Sequence, residues 1–242
     1  MEFFHHRCFH NNFTWNLVAE SCELDPDVAL VLFAIDMIHY WPFNNNALDY
    51  AGQANMTEGI ASGSLSSSHT FFDRDRFGRL NSALNLNNWF KQVSNDVYFQ
   101  GDFSVSFWIK FQANNQSGTS IGFLDFSSNV VFGCTKDNCF LEVDIDSSTY
   151  VKATTQLKTG FWTFFVATLQ GLTGSIYLDG NLVGQNVLSV PTFIVGLNNL
   201  IGARQNNVTD IYGTSLSIID ELRIFNRSLT NTEIISLMNL DV

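Results

Sequence analysis

The sequence FWTFFVATLQGLTGSIYLDGNLVG, residues 161–184, decides the fold class. Its first half carries aromatic and aliphatic residues on both faces of an extended chain, which predicts a strand that is covered on both sides. In its second half Ile176 and Leu178 share one face and alternate with more polar residues. The run ends at Asp179-Gly180, and glycine tolerates the positive φ of the favoured hairpin turns. The stretch therefore predicts two antiparallel strands followed by a tight return.

Strand patterns of this kind recur along the chain at regular spacing. Residues 103–111 alternate most cleanly, with apolar residues on one face and mainly polar residues on the other, which is the half-buried pattern of a sheet in a sandwich. No long helical pattern intervenes, so the sequence predicts two antiparallel sheets packed face to face. Further strands are predicted at residues 28–35, 80–86, 97–99, 120–126, 129–134, 139–145, 150–153, 200–204 and 217–225.

One short helix is predicted at the C-terminal end. Thr230 is followed three residues later by Glu233, which fits a capping box. Ile234, Leu237 and Met238 then fall at helical spacing. We expect this helix to pack on the sandwich.

Charge and composition exclude several classes of partner. The 242 residues include 12 Lys and Arg against 23 Asp and Glu, which gives a net charge of −11. No Lys/Arg cluster is present that would neutralise several phosphates, so nucleic acid, heparin-like polyanions and anionic membrane surfaces are disfavoured. The most apolar run, residues 28–35, is far shorter than the ~20 residues that span a bilayer. Direct membrane insertion of this chain is therefore not expected.

Cysteines and glycosylation signals favour an oxidising compartment. The four cysteines form two close pairs, Cys8 with Cys22 and Cys134 with Cys139. Two disulfides compete with the alternative of four buried thiols, and a disulfide across 134–139 would staple a hairpin. Five N-glycosylation sequons support an extracellular or luminal location, at Asn12, Asn55, Asn115, Asn207 and Asn226.

The first 35 residues are predicted to be a lead-in of uncertain structure, before a main domain at 36–242. They are rich in His, Phe and Asn and lack a clear period. His5, His6 and His10 lie near Cys8, but a disulfide-pinned lead-in, a disordered arm or an expression remnant is favoured over a metal site. No secretory signal is legible at the start, which is expected of a fragment or of mature numbering.

The order of motifs along the chain resembles that of a known family. The motifs are Trp41-Pro-Phe-Asn, Asp49-x-x-Gly52, residues 103–110, Trp162-x-x-Phe165, Ile176-Tyr-Leu-Asp-Gly180, Ile219-Asp-Glu-Leu-Arg-Ile-Phe-Asn226 and the C-terminal helix. Together, over about residues 36–240, they resemble the laminin G-like jelly roll of the concanavalin A-like lectin/glucanase superfamily. The resemblance implies an all-β, antiparallel two-sheet jelly-roll sandwich with an extracellular binding role toward carbohydrate or protein ligands. The fold does not choose the ligand.

Glu142, Asp144 and Asp146 are the catalytic candidates. Residues two apart in a strand share a face, so these carboxylates would line up about 7 Å apart. The run is similar to the Glu-x-Asp-x-Glu strand of laminarinases and lichenases, in which the first Glu is the nucleophile and the last is the acid/base. Here the last position is Asp146, whose shorter side chain would withdraw the proton donor from the ~5–5.5 Å separation that retaining chemistry needs. A solvated strand face is therefore favoured over catalysis.

Calcium is implied by the resemblance, because members of this superfamily often carry a bound calcium. Asp49 in the Asp-x-x-Gly loop and Asp220 in the Ile-Asp-Glu strand are the candidate ligands, with Asn55 as a third. Backbone carbonyls would complete a structural site. The alternatives are turn capping for Asp49 and a strand-end hydrogen bond for Asp220.

Exposed aromatic residues are candidates for a sugar platform, because rings stack on the apolar faces of pyranoses. Most of the aromatic residues in this chain must lie in the core, and Trp162 and Phe165 are expected there. The candidates for the platform are Trp89, Phe90, Tyr98, Tyr150 and Tyr212.

Three functions from different classes are consistent with the sequence. The first is a noncatalytic extracellular recognition module that binds a glycan or a protein. The second is a structural or adhesive module of a larger secreted or membrane-anchored protein, and the third is a divergent glycoside hydrolase that uses residues 142–146. The sequence favours the first of these.

Overall fold

A computed structural model gives the fold of the chain from residue 36 onward and of two short segments before it. The described residues are 13–16, 21–24, 36–58, 71–86, 89–112, 121–135, 139–143, 149–191, 195–196, 198–207, 210–212 and 216–240. The elements among them are β1 (Phe13–Asn16), β2 (Ser21–Leu24), β3 (Met37–Trp41), β4 (Thr57–Glu58), β5 (Phe71–Asp73), β6 (Ala83–Asn85), β7 (Lys91–Val93), β8 (Phe103–Phe111), β9 (Ile121–Phe126), β10 (Val130–Cys134), β11 (Cys139–Val143), β12 (Tyr150–Lys152), β13 (Trp162–Gln170), β14 (Thr173–Leu178), β15 (Asn181–Val187), β16 (Asn199–Ile201), β17 (Arg204–Asn207), β18 (Asp210–Tyr212), β19 (Ser217–Phe225) and the helix α1 (Asn231–Met238).

Two antiparallel sheets build a sandwich from the described strands. The seven-stranded sheet has the order β12-β11-β10-β9-β16-β7-β4. The eight-stranded sheet has the order β15-β14-β13-β8-β19-β6-β5, with β3 paired to β19. The hairpins β1-β2 and β17-β18 form separate two-stranded sheets. With α1 at the C-terminal end, this architecture confirms the predicted all-β jelly-roll sandwich.

Strand β13 is central to the eight-stranded sheet because it pairs with a long strand on each side. Residues 162–169 pair with β8, and residues 165–170 pair with β14. The following β14–β15 hairpin turns at Asp179 and Gly180, whose φ values are 48° and 76°. This is the pair of positive φ values that a tight two-residue turn requires. The strands and the turn predicted from residues 161–184 are thus confirmed.

Both faces of β13 are buried, as its two-sided apolar sequence predicts. Phe165 points between the two sheets and stacks on Phe107 of β8, with 4.9 Å between the ring centroids. Phe164 belongs instead to a second apolar cluster, which includes Ile234 and Leu237 of α1. The helix therefore covers the outer face of the eight-stranded sheet.

Helix α1 begins with the predicted capping box. The hydroxyl of Thr230 accepts a hydrogen bond from the backbone N–H of Glu233 at 3.3 Å, and the Glu233 carboxylate accepts one from the backbone N–H of Thr230 at 2.8 Å. Arg227 forms ion pairs with Glu233 and Asp36, each at 2.7 Å. These contacts join the start of the helix to the entry into β3. The described part of the chain contains no helix that is long and apolar enough to cross a membrane.

Two predicted strands differ in extent from the observed ones. The run 200–204 is divided between β16 and β17, because Gly202 has a φ of 98° and interrupts the extended chain. In the run 80–86 only β6 is a strand. Asn81 has a φ of 58° and turns the chain just before it, which leaves Leu80 67% exposed rather than on the core face.

Three other predictions concern residues 97–99, the N-terminal 35 residues and the boundary of the main domain. Residues 97–99 form no strand, and the neighbouring Asp96 makes an isolated β-bridge with Gly196 instead. The predicted first strand at 28–35 lies outside the described residues, as do the histidines at positions 5, 6 and 10. The domain boundary at residue 36 stays a prediction.

A disulfide joins Cys134 and Cys139 at the end of the β10–β11 hairpin. The two residues are cross-strand partners with 3.9 Å between their Cα atoms. Cys22 lies in β2, opposite Trp15, whereas Cys8 lies outside the described residues. The Cys8–Cys22 pairing therefore stays a prediction.

The capping box gives a direct test of how α1 is held. Thr230→Ala removes the hydroxyl that accepts from Glu233, and we expect it to lower the free energy of unfolding by about 1 kcal/mol. Urea unfolding followed by fluorescence measures the change. Thr232→Ala makes the same substitution at an exposed helical position and should leave stability unchanged or slightly higher. Equal losses in the two variants would contradict the capping role.

Candidate functional site

One row of side chains crosses the outer face of the seven-stranded sheet. The strand register places Tyr150 of β12 opposite Glu142 of β11, and it places Glu142, across β10, in line with Asp125 of β9. Leu200 of β16 continues the row. The next residue along β11, Leu141, faces the core between the sheets. The row therefore lies on the side of the sheet that faces away from the core.

The Asp125 end of this face is closed by a polar network. The Asp125 carboxylate accepts hydrogen bonds from the backbone N–H groups of Ser128 and Gln205 at 2.8 and 2.9 Å. Asn198 links Gln205 to Gln92 through amide hydrogen bonds of 2.6 and 2.7 Å. Burial raises the pKa of Asp125, and its hydrogen bonds oppose that shift. Since these groups satisfy one another, this end of the face is structural.

An arginine occupies the middle of the face. Gly122 of β9 lets the segment at Ala203 pass close to the sheet, because a Cβ on Gly122 would lie 2.5 Å from the carbonyl oxygen of Ala203. From the next position Arg204 donates to the Glu142 carboxylate at 3.1 Å. Its guanidinium also lies 5.2 Å from the ring centroid of Phe140. Arg204 is thus fixed between a carboxylate and an aromatic ring.

The Tyr150 end of the face is open. Tyr150 is 48% exposed and lines a groove of about 350 Å³ with Thr149, Lys152, Gln185 and Asn186. We call these five residues the Tyr150 groove. The side-chain amide of Asn186 donates to the carbonyl of Tyr150 at 2.9 Å, which ties strand β15 to strand β12. An exposed ring beside amides, a hydroxyl and an ammonium suits a ligand rich in hydroxyl groups.

Only one of the three catalytic candidates lies within the described residues. Burial raises the pKa of the Glu142 carboxyl, and the neighbouring Arg204 opposes that rise. The carboxylate is engaged in the Arg204 ion pair and is only partly exposed. Asp144 and Asp146 lie outside the described residues. The predicted row of three carboxylates therefore stays a prediction.

Asp49 organises the loop that follows β3. Its carboxylate accepts hydrogen bonds from the backbone N–H groups of Tyr40, Gly52 and Ala54 at 2.9 to 3.0 Å, and it lies 2.7 Å from Nδ1 of His39. Burial acts to raise the pKa of Asp49, but these hydrogen bonds outweigh it and hold the pKa well below its usual range. This geometry matches the turn-capping alternative.

Asp220, the second calcium candidate, lies in β19 and contacts Arg76. It is 1% exposed, and the Arg76 guanidinium lies 3.4 Å from its Oδ2. Its Oδ1 has no hydrogen-bond partner among the described residues. Burial, together with the neighbouring Glu221 carboxylate, raises the pKa of Asp220 to about 8. A buried carboxyl beside an arginine is a poor partner for a cation.

The donor set does not fit a calcium ion at these positions. Both oxygens of Asp49 already accept hydrogen bonds, and Oδ1 of Asn55 accepts one from the Asp49 N–H at 2.9 Å. No group of three or more His, Cys, Asp or Glu side chains in the described ranges could hold a metal ion. Calcium binding stays a prediction.

Tyr98 lies in the core rather than on an open platform. It is 4% exposed, and its ring packs against those of His39 and Phe126 at 4.8 Å each. Its hydroxyl donates to the carbonyl of Ser94 at 2.9 Å. Burial raises the pKa of Tyr98 to about 12. The ring presents no free face to a sugar.

The remaining aromatic candidates lie near the closed end of the sheet. Phe90 is buried with Leu200 and Ala203 on the outer face, and Trp89 beside it is half-buried. Tyr212 belongs to β18, opposite Arg204, and its side chain lies outside the described part. Tyr150 is therefore the platform candidate that the described structure leaves most open.

The sequons are divided between described and undescribed segments. Asn55 and Asn226 are exposed. Asn207 belongs to β17, but its side chain is not among those described, and Asn12 and Asn115 lie outside the described residues. Glycosylation stays a prediction at all five positions.

The two packed antiparallel sheets define a jelly-roll β-sandwich. Residues 85–235 match the family model Laminin_G_3, described as the Concanavalin A-like lectin/glucanases superfamily. This match covers more than half of the chain, so the chain belongs to that superfamily. The resemblance seen in the order of motifs is thereby confirmed. No curated protein shows significant sequence similarity to the chain.

Solved structures with the same fold include one glycosidase-associated domain and several toxin domains. Domain 4 of AbnA, a GH43 extracellular arabinanase from Geobacillus stearothermophilus, solved in complex with arabinotriose, has a TM-score of 0.65 and 18% identity, over 84% of this chain and 98% of that one. The ligand binding domain of botulinum neurotoxin serotype D, in complex with N-acetylneuraminic acid, has a TM-score of 0.64 and 16% identity. The binding domain of Paraclostridial Mosquitocidal Protein 1 has a TM-score of 0.63 and 16% identity.

The chain aligns with only part of each toxin domain. The alignments cover 87% and 86% of this chain but only 52% of each toxin domain, so the chain spans about half of their length. At such low identity the likeness shows the fold alone. The comparisons therefore show the fold and the superfamily of the chain.

The buried Asp220 carboxyl makes stability depend on pH. Its folded-state pKa of about 8 lies above the ~3.9 of an unfolded aspartate, so between these values the folded state holds a proton that the unfolded state has lost. The stability contributed by this group is full below pH ~4 and is lost as pH rises toward 8. Asp220→Asn should therefore raise the free energy of unfolding by about 1–3 kcal/mol more at pH 8 than at pH 5.

Chemical unfolding of both proteins at several pH values between 5 and 8 measures this difference. Asp96→Asn makes the same change at an exposed aspartate and should leave the pH slope of stability as in the parent protein. A parallel pH dependence for Asp220→Asn and the parent protein would contradict the raised pKa.

Proposed function

We propose that this chain is a noncatalytic carbohydrate-binding module that binds glycans in the Tyr150 groove. The observation that carries the proposal is the convergence of the exposed Tyr150 ring with Lys152, Gln185 and Asn186 at one open edge of a lectin-like sandwich. An aromatic ring supplies an apolar stacking surface, while amide and ammonium groups bond to hydroxyl oxygens. A saccharide has both an apolar ring face, which can stack on Tyr150, and hydroxyl groups, which can bond to the polar side chains.

The protein's own charge supports a glycan rather than a polyanion such as nucleic acid. With a net charge of −11 the chain repels densely charged phosphate or sulfate polymers. The known ligands of two similar folds point the same way, because domain 4 of AbnA and the serotype D neurotoxin domain were solved with arabinotriose and N-acetylneuraminic acid. We propose an extracellular or luminal setting on the strength of the Cys134–Cys139 disulfide and the exposed sequons at Asn55 and Asn226.

The Glu142 environment supports a binding role over hydrolysis. Its carboxylate is paired with Arg204 at 3.1 Å and is only partly exposed, which restricts its access to a sugar. The full chain should release no reducing sugar from β-glucans or arabinan, and Glu142→Gln should leave that baseline unchanged. Release that Glu142→Gln abolishes would support the hydrolase alternative instead.

A glycan array probed with the full chain tests the binding role, and calorimetry with the best-bound oligosaccharide tests the groove. Tyr150→Ala should weaken that binding about tenfold, because it removes one stacked aromatic ring worth ~1 kcal/mol or slightly more. Tyr150→Phe keeps the ring and should retain most of the affinity. Tyr50→Ala removes another exposed tyrosine, in the loop after β3, and should leave the affinity unchanged.

The same data distinguish the alternatives. Silence across the array would contradict carbohydrate binding and favour an adhesive module whose ligand is a protein. Binding that Tyr150→Ala and Tyr50→Ala weaken equally, or not at all, would contradict the Tyr150 groove as its location.

A further inference from the structure

A second groove opens at one end of the sandwich. Its volume is about 570 Å³, and it lies between the loop at residues 154–161 and the adjoining ends of β13, β14 and β15. Phe161 and Trp162 line one part of it, with Lys158, Gln156 and Asn181 around them. We call these five residues the rim groove.

The walls of the rim groove are held in place by backbone contacts. The N–H and the hydroxyl of Thr154 both donate to the carbonyl of Val183, at 2.8 and 2.9 Å. At the other end of the loop, the N–H of Gly160 donates to the carbonyl of Phe111 at 2.7 Å, and Gly160 has a φ of 83° that suits glycine. The loop is thus anchored to β15 on one side and to β8 on the other. A groove with fixed walls loses little entropy when a ligand enters.

The exposure of Phe161 is unexplained by packing. The ring is 67% exposed, while Phe164 and Phe165 in the same strand region are fully buried. Trp162 is only half-buried, although the sequence predicts it in the core. Two neighbouring aromatic residues that face a groove rather than the core are typical of ligand-binding surfaces.

Charge selects the class of ligand. The chain has only 12 basic residues, and one of them, Lys158, is exposed at the groove and has no ion-pair partner among the described residues. Asp179 also lines the groove, and its Oδ1 accepts a hydrogen bond from the N–H of Phe164 at 2.8 Å. The Lys158 ammonium is therefore available to a carboxylate on the ligand.

We propose that the rim groove is a second carbohydrate-binding site, which takes a sugar that carries a carboxylate, such as a uronate or a sialate. Phe161 stacks on the apolar face of the sugar, Trp162 forms part of the groove wall, Gln156 and Asn181 bond to the sugar's hydroxyls, and Lys158 pairs with its carboxylate. This inference extends the proposed function, and its residues are separate from those of the Tyr150 groove.

The two grooves lie along the same flank of the sandwich. Strand β15 contributes Asn181 to the rim groove and Gln185 to the Tyr150 groove, and the strand rise places these residues about 13 Å apart. Two weak sites at that spacing can be occupied by one glycan chain or by neighbouring glycans on a surface, which raises the overall affinity through avidity.

A matched pair of sugars tests the proposal. Methyl β-glucuronoside and methyl β-glucoside differ only in the carboxylate, and methyl α-sialoside serves as a second acidic probe. Each is titrated into the ¹⁵N-labelled full chain while the amides of Phe161 and Asn181 and the indole N–H of Trp162 are followed by NMR. We expect these signals to shift with the acidic sugars, with at least one of them binding about three- to fivefold tighter than the neutral glucoside.

Three variants locate the interaction. Lys158→Gln should remove the preference for the acidic sugar and leave binding of the neutral glucoside unchanged. Phe161→Ala should weaken binding of both acidic and neutral sugars about tenfold, and Phe161→Tyr should restore it. Leu172→Ala, at a 54% exposed apolar residue in the β13–β14 turn, is the control and should change neither.

Each outcome decides between the two sites. Absence of shifts in the rim groove with all three sugars at tens of millimolar would overturn the proposal, and equal affinity for acidic and neutral sugars would overturn its charge assignment. Tyr150→Ala should leave the rim-groove shifts intact. If those shifts persist while the Tyr150 groove proves silent, the rim groove stands and the proposed function at Tyr150 fails; loss of the rim-groove shifts in Tyr150→Ala would contradict two separate sites.

Discussion

The burial of β13 from both sides is the constraint on which the rest of the structure depends. Its inner face joins the core through Phe165 and Phe107, and its outer face is covered by α1 through Phe164 and Ile234. Since an apolar strand of this kind cannot face water on either side, the helix is an essential part of the sandwich. The capping box and the Arg227 ion pairs hold the helix where that face needs it.

Covering one sheet decides where a ligand can bind. Helix α1 covers part of the outer face of the eight-stranded sheet. A cluster of buried charged residues occupies the adjoining part. There β19 has a bulge between Asp220 and Arg223, and Glu221 adopts a φ of 56°. The Glu221 carboxylate pairs with Arg223 and accepts hydrogen bonds of 3.1 Å from the Tyr40 hydroxyl. The Glu221 and Arg223 charges are paired with each other, and the two proposed grooves lie instead along the flank where β12 and β15 meet.

Strands, turns and the helix cap are predicted correctly from the sequence where the signals that determine them are local. Strand β8 occupies the predicted residues 103–111, because alternation over nine residues fixes both the strand and its faces. Strand β19 also occupies the predicted residues 217–225, although a bulge interrupts its alternation. The helix cap and the Asp179-Gly180 turn follow from short-range hydrogen bonding and backbone conformation in the same way. The resemblance to the family rests on the order of such local motifs, and the family-model match over residues 85–235 shows the membership.

The candidate site was harder to predict because its contacts are distant in sequence. Arg204 and Glu142 are 62 residues apart and meet only when β17 crosses the sheet at Gly122. In the sequence Gln185 and Asn186 are indistinguishable from other polar strand residues. They line a groove only because β15 lies beside β12. Tyr98, which follows a polar segment in the sequence, is carried into the core by its contacts with His39 and Phe126. Burial of a loop residue depends on tertiary packing, which periodicity does not encode.

The contact between the two edge strands explains why grooves open on this flank. Strands β12 and β15 are the edges of different sheets, and an uncovered edge invites pairing with another chain. Here Gly184 allows β15 to approach β12 so closely that a Cβ at this position would lie 2.5 Å from the Lys152 carbonyl oxygen. Two edges that twist past each other can touch only over a short length. The Tyr150 groove lies on one side of that contact and the rim groove on the other, so the same packing that protects the edges leaves two rigid clefts beside it.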